Sequence, residues 1–168
     1  CERIDLHPRA GEEACCGYIV GATGFSHEFE EAQVRCKENM VPQGDKPLLT
    51  LCPTCTITLK ERYGLPVRHA ILALHQKLKE PDMAKEIKPL DLCATYHDPC
   101  HLGRQSGVYE SPRRLIERVK GAQLVEMKTN HSYAHCCGAG GGVRSTHPVL
   151  ANQVARQRIG EALEVNTD

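Results

Sequence analysis

Tryptophan is absent from this sequence, and phenylalanine occurs only twice in 168 residues. With five tyrosines, the aromatic share is 4%. Stacking platforms for single-stranded nucleic acid are built from such side chains, so that partner class is excluded. Net charge is missing too, because 21 basic residues balance 21 acidic ones. A neutral chain carries no electrostatic footprint for nucleic acid or for an anionic membrane surface. No apolar run approaches the roughly 20 residues of a transmembrane helix. There is no initiating methionine and no signal-peptide pattern, so nothing points to secretion. The length suits one domain or two small ones.

Cysteine is the opposite case, with ten residues. Disulfide-stapled secreted scaffolds are usually shorter, under about 100 residues. This chain has 40% hydrophobic and 25% charged residues, and it is long enough to bury a core without staples. The cysteines therefore call for a chemical role, and metal binding is the leading candidate.

Hydrophobic spacing outlines the elements. Phe25, Phe29, Ala32, Cys36 and Met40 form one helical stripe, with Ser26 as the expected N-cap. Gly21 to Gly24 reads as a small-residue loop and Pro42 to Pro47 as a turn. A short strand is expected at Leu48–Leu51, and a helix from Thr56 to Tyr63, stopped by Gly64 and Pro66. Ile71, Leu74 and Leu78 fit another helix, and Lys79–Pro89 reads as a charged linker. Beyond it come a strand at Leu92–Tyr96, a helix opening at Ser111-Pro112 and a strand at Gln123–Met127. A last helix starts near Pro148, with Ala151, Ala155, Ile159 and Leu163 on one face. Strands alternating with helices predict an α/β fold with short parallel sheets.

The chain also repeats itself. Cys15-Cys16-Gly17 and Cys136-Cys137-Gly138 each precede a small-residue loop and an amphipathic helix, 121 positions apart. Thirty-five residues separate Cys16 from Cys52, and the same number separate Cys100 from Cys136. Adjacent Cα atoms stand about 3.8 Å apart, whereas a disulfide wants about 4.4–6.8 Å, so neither vicinal pair suits a bridge. Two thiolates on one loop can instead grip a metal group, and the following glycine permits close backbone approach or positive φ. Cys52-Pro53-Thr54-Cys55 adds two more thiols from one turn. Soft thiolates select zinc, Cu(I) or iron–sulfur clusters. A closed structural zinc site is one alternative. A cluster-free thiol–disulfide oxidoreductase using Cys52 and Cys55 at a helix N-terminus is another.

These motifs resemble the cysteine-rich CCG domain of heterodisulfide-reductase-type proteins, across nearly the whole chain. The most specific stretches are Tyr96-His97-Asp98-Pro99-Cys100-His101-Leu102-Gly103-Arg104, Gly107-Val108-Tyr109-Glu110 and Cys136-Cys137-Gly138-Ala139-Gly140-Gly141-Gly142-Val143. The family includes heterodisulfide reductase catalytic subunits and iron–sulfur subunits of glycolate, lactate and anaerobic glycerol-3-phosphate oxidation systems. The resemblance implies an iron–sulfur cluster of the 4Fe–4S type, cubane or noncubane. Cys15, Cys16, Cys52 and Cys55 would ligate one, and Cys100, Cys136 and Cys137 would begin the site of a second. It implies an electron-transfer role, either toward a disulfide or between a dehydrogenase and a quinone. The implied partners are other subunits of a redox complex, flavin or ferredoxin-type proteins. The implied location is the cytoplasm or the cytoplasmic face of a membrane.

Each motif is incomplete. The first lacks its leading cysteine, and the second lacks its closing C-x-x-C. The expectation is a tandem repeat cut out of phase, with residues 1–88 ending one unit and 89–168 opening the next. The repeat offset then places a C-x-x-C close to positions 173–176, just past Asp168. A further cysteine is expected about 20 residues before Cys1, by the family's spacing.

The other polar residues read more plainly. Cys36 and Cys93 suit core positions, and Cys1 at the chain end is uninterpretable. His97, His101 and His135 flank the cysteines and suit structural donors, cluster tuning or proton shuttling. Asp98 suits a cap on the loop before Cys100. Arg104 and Arg144 suit solvated surface charge. Gly140–Gly142 lacks the lysine and glycine spacing of a phosphate loop.

Overall fold

Helix α2 (Ser26–Asn39) forms where the apolar stripe predicted it, and it buries Ala32 and Cys36. Ser26 is its first residue and makes no cap bond. The computed structural model describes residues 15–40, 46–80, 87–165 and 167. Cys1, most of the expected turn at 42–47 and residues 81–86 of the expected linker lie outside the described residues. Helix α1 (Tyr18–Ala22) runs into the segment expected as a glycine loop, taking up Gly21 and Ala22, and a turn at Thr23–Gly24 follows.

Strand β1 (Leu48–Thr50) pairs in parallel with β2 (Val67–His69), with Leu48 opposite Val67. Between them lie α3 (Pro53–Ile57) and a π-helical turn (Thr58–Arg62). Pro53 holds the first helical position, where its missing N–H costs nothing. β2 was not foreseen from the sequence, because a three-residue strand flanked by Pro66 carries too little pattern.

A second β–helix–β crossover follows α4 (Ala70–Lys77). β3 (Leu92–Ala94) pairs in parallel with β4 (Ala122–Leu124). Their connection holds a π-helical turn (His101–Gln105) and α5 (Glu110–Glu117). Helix α5 starts one residue before Ser111, which uses its hydroxyl to meet His75 Nδ1 of α4 at 2.9 Å. A 3₁₀ turn (His131–Tyr133), α6 (Val143–Thr146) and α7 (Pro148–Leu163) complete the chain. The fold is α/β, with two small parallel sheets.

Contacts divide the chain into two units, Cys1–His69 and Ala70–Asp168. This boundary follows the packing of α4 on α5, whereas the expected 88/89 boundary follows the charged, proline-flanked stretch at Lys79–Pro89. In the first unit, Cys16, Cys36, Leu59, Tyr63 and Val67 form the core, backed by Phe29, Met40 and Leu48. The second unit buries Leu102, Met127, Ala134 and Ala151 together with Asp98, Arg113 and Arg158.

Candidate iron–sulfur centres

The two Cys-Cys-Gly loops share one backbone device. Gly17 has φ +71° and Gly138 has φ +81°, a left-handed conformation that L side chains avoid. A Cβ on Gly17 would lie 2.8 Å from Ala32 Cβ, and one on Gly138 would lie 2.5 Å from the Ala151 carbonyl oxygen. Each glycine thus lets its cysteine pair sit directly against the long helix that follows.

In the first unit the Cys-Cys-Gly loop meets the C-x-x-C turn. Cys16 Sγ and Cys55 Sγ are 3.4 Å apart, although 39 positions separate them in sequence. The Tyr63 hydroxyl donates to the Cys16 carbonyl, and the Cys36 thiol contacts the Cys15 carbonyl at 3.6 Å. His69 Nε2 bonds to the Leu51 carbonyl at 3.0 Å and steadies the chain entering the C-x-x-C turn. Cys52 stands at the N-cap of α3. Cys15 and Cys52 are exposed, Cys55 is half-buried and Cys16 is buried.

The thiol contact polarises the pair. The hydrogen bond from Cys55 outweighs burial and lowers Cys16 to about 6. Cys55, the donor beside that thiolate and itself partly buried, is pushed up. Burial, reinforced by the neighbouring thiols, raises Cys36. The same causes lift Tyr63 to about 12. Cys36 is fully buried in the core, as its place on the helical stripe predicted.

In the second unit, polar ties hold the Cys100 segment against the loop that leads to Cys136 and Cys137. Asp98 accepts from Arg113 Nη1 and Nη2, both at 2.7 Å, and from the His131 backbone N–H at 2.7 Å. Arg113 also bonds Glu126 through Nε at 2.6 Å and Nη2 at 3.0 Å, and the Tyr109 carbonyl at 2.8 Å. Its guanidinium lies over the Tyr96 ring, 5.2 Å from the centroid. Burial alone would raise the Asp98 carboxyl, but the Arg113 bonds, the His131 N–H and the Arg113 charge hold it below the usual carboxylate range. Asp98 is therefore a structural anchor, as expected, but one anchored to a buried arginine that periodicity did not reveal.

Arg104 is exposed, as expected of surface charge, and in addition its Nε donates to the Ser132 carbonyl at 2.9 Å and its guanidinium also meets the Ala134 carbonyl. It ties the π-helical turn after Cys100 to the approach of Cys136. His97 accepts from Arg158 at 2.9 Å and is half-buried; burial and the Arg158 charge lower its pKa. His135 bonds Glu161, whose carboxyl is held down chiefly by Thr129, Arg158 and His135 itself. Cys100, Cys136 and Cys137 are all exposed thiols.

The donor set fits a sulfur-rich group. All described cysteines are free thiols, and thiolates are what iron–sulfur clusters take. Among the described residues no three His, Cys, Asp or Glu side chains converge on a single-ion site. Both C-terminal strand ends, after β1 and β3, lead into a cysteine and then a π-helical turn. π-turns recur at functional sites because they re-aim side chains within a helix. No sequence signal marks them.

Comparison with known proteins gives a consistent picture. A profile of the cysteine-rich domain called CCG matches residues 2–60 and 94–168. The chain is 37% identical over 168 residues to one subunit of a dihydromethanophenazine:CoB–CoM heterodisulfide reductase from Methanosarcina acetivorans, covering 94% of this chain and 41% of that protein. It is 31% identical over 159 residues to one subunit of a CoM/CoB fumarate reductase from Methanothermobacter marburgensis, covering 93% of this chain and 31% of the relative. It is 33% identical over 136 residues to an EtfAB:quinone oxidoreductase from Syntrophomonas wolfei, covering 78% and 19% respectively. The chain thus spans at most about two fifths of the length of these curated relatives. No solved structure matches it. Among the described residues no helix is long and apolar enough to cross a membrane.

Proposed function

The chain belongs to the cysteine-rich CCG domain family, and from that premise we propose that it is an iron–sulfur electron-transfer module of a heterodisulfide-reductase-like oxidoreductase. Cys15, Cys16, Cys52 and Cys55 hold one cluster of the 4Fe–4S type. Cys100, Cys136 and Cys137 supply ligands to a second. When bound, such a group supplies one-electron storage and a site where sulfur intermediates are tolerated. It passes electrons to a disulfide, or between a dehydrogenase and a quinone or partner protein. The partners are other subunits of a redox complex, at the cytoplasmic face of a membrane or in the cytoplasm.

One observation carries this reading furthest. Two cysteine motifs far apart in sequence place Cys16 and Cys55 Sγ atoms 3.4 Å apart in a half-buried setting. The chain's own residues do the preparation. Gly17 and Gly138 bring the vicinal cysteines against α2 and α7. Tyr63 orients the Cys16 carbonyl. Burial around Cys16 and Cys55 excludes water, which sets the potential of a bound cluster together with hydrogen bonds to sulfur.

The test is anaerobic reconstitution with iron and sulfide. The expected result is visible absorbance, acid-labile sulfide and a paramagnetic resonance signal on reduction or oxidation, with loss of iron in Cys16→Ser and Cys55→Ser. Zinc near one equivalent, with no iron and no labile sulfide, overturns it in favour of a structural metal site. Disulfide exchange that survives Cys15→Ser and Cys16→Ser in a metal-free protein overturns it in favour of a thiol–disulfide enzyme.

A further inference from the structure

The contact between Cys16 and Cys55 joins two free thiols with their Sγ atoms 3.4 Å apart. A disulfide bond measures about 2.05 Å, so the sulfurs need to approach by only about 1.4 Å. Cys16 is fixed in place. It is 5% exposed and belongs to the first unit's core, Tyr63 holds its carbonyl, and Gly17 seats its loop on Ala32. Cys55 is half-buried and sits on α3, a helix of five residues. One thiol is therefore held in the interior, and the other is reachable from solvent.

The rival pairings fit less well. Cys15 and Cys16 are adjacent, too close for an ordinary bridge. Cys52 also neighbours Cys55, but it stands exposed at the N-cap of α3. A Cys52–Cys55 bridge spans only Pro53 and Thr54. A Cys16–Cys55 bridge closes a loop across 39 positions, and a longer loop constrains the unfolded chain more. Stability of the folded chain therefore favours the long bridge over the short one.

We propose that Cys16 and Cys55 form a reversible disulfide in the cluster-free chain, by exchange with a low-molecular-weight aliphatic disulfide, and that this bond gates metal loading at the first centre. The gating half rests on the iron–sulfur reading above. The Cys55 sulfur attacks one sulfur of the small disulfide. A mixed disulfide forms on Cys55, the small S–S bond breaks, and the departing thiolate takes the Cys55 proton. Cys16 then attacks the Cys55 sulfur and releases the second small thiol, which carries away the Cys16 proton. The chain gives up two electrons and two protons, and the small disulfide gains both. The product withholds Cys16 and Cys55 from ligation, because a metal takes the thiolate. A dithiol reverses the exchange.

The experiment uses the full-length protein, stripped of metal by a chelator, freed of reductant and incubated with oxidised glutathione. Peptide mass spectrometry without reduction reads the linkages. The expected result is a peptide pair joined through Cys16 and Cys55, a melting temperature above that of the reduced chain, and return of both thiols with dithiothreitol. Cys16→Ser should instead accumulate glutathione on Cys55, because the resolving thiol is gone. A predominant Cys52–Cys55 linkage overturns the proposal. So does a Cys16–Cys55 pair that stays reduced while Cys15 or Cys52 takes up glutathione. Cobalt(II), added without thiol or sulfide, reads the gating through its thiolate absorbance, the first centre's share being the part lost in Cys52→Ser. That share should be missing from the oxidised protein and return after reduction by a phosphine; an equal share in both forms overturns the gating. Absence of iron and sulfide from the anaerobically purified wild-type protein is the distinct result that sinks the iron–sulfur reading and leaves the disulfide standing.

Discussion

Replacing Asp98 by asparagine tests how the second unit is held together. The Asp98 side chain is 1% exposed and that of Arg113 is 5% exposed. Arg113 has five N–H donors, and its five bonds reach Asp98, Glu126 and the Tyr109 carbonyl. The asparagine would keep the shape but remove the charge, and its amide N–H₂ would face a donor, either the guanidinium or the His131 N–H. Breaking a buried ion pair on one side costs about 3–5 kcal/mol. At about 1.4 kcal/mol per tenfold, the folding equilibrium falls by a factor of a few hundred to a few thousand. That is a large part of a typical total of about 5–15 kcal/mol. Urea unfolding of the cluster-free chain measures it, with the m-value as a check on two-state behaviour. Glu117→Gln is the control: its 2.9 Å pair with Arg114 joins two half-exposed side chains, and such pairs are worth about 0–1 kcal/mol. The pH dependence carries a sign. Asp98 is depressed from 3.8, so its contribution is complete above that value and fades as pH falls through the lower folded value. The wild-type advantage over Asp98→Asn should be flat near neutrality and shrink only in acid. The double variant Asp98→Leu with Arg113→Met should recover only part of the loss, because Glu126 loses its cation and the His131 N–H loses its acceptor. A loss below about 1 kcal/mol in Asp98→Asn would refute the reasoning, because it would mean the pair is effectively solvated.

Three further outcomes follow from the geometry. Gly138→Ala must place a Cβ 2.5 Å from the Ala151 carbonyl at φ +81°, and it should cost at least about 2 kcal/mol in thermal or urea unfolding. Gly140→Ala meets nothing within 4 Å and should stay within about 0.5 kcal/mol. In the cluster-free chain, Cys16 is lowered to about 6 by Cys55. Ultraviolet thiolate absorbance should therefore grow in as pH rises through that value, and Cys55→Ala should move the step upward toward 9.0, the ordinary thiol value. Arg104→Gln removes both ties to the 132–134 segment. It should speed backbone hydrogen exchange at Cys136 and Cys137 relative to the first unit.

By itself the sequence determined the family of this protein. Ten cysteines in a neutral chain, two Cys-Cys-Gly tripeptides and one C-x-x-C point to thiolate chemistry before any coordinate is known. The α2 stripe, the start of α7 at Pro148 and the parallel-strand class were legible for the same reason, because periodicity and proline placement act locally. Tertiary structure decided what assembles those thiols. The expected face of α7 held Ala151, Ala155, Ile159 and Leu163; Ala151 is buried, yet Ile159 and Leu163 are exposed and Arg158 is buried instead. Hydropathy ranks arginine as a surface residue, and only the carboxylate, carbonyl and imidazole gathered around it from Glu161, Thr129 and His97 reverse that preference. Arg113 is buried for the same reason, by Asp98 and Glu126. The π-helical turns and the Cys16–Cys55 contact are equally non-local: each depends on which crossover packs beside which loop, and burial energy acts on that arrangement rather than on neighbours in sequence.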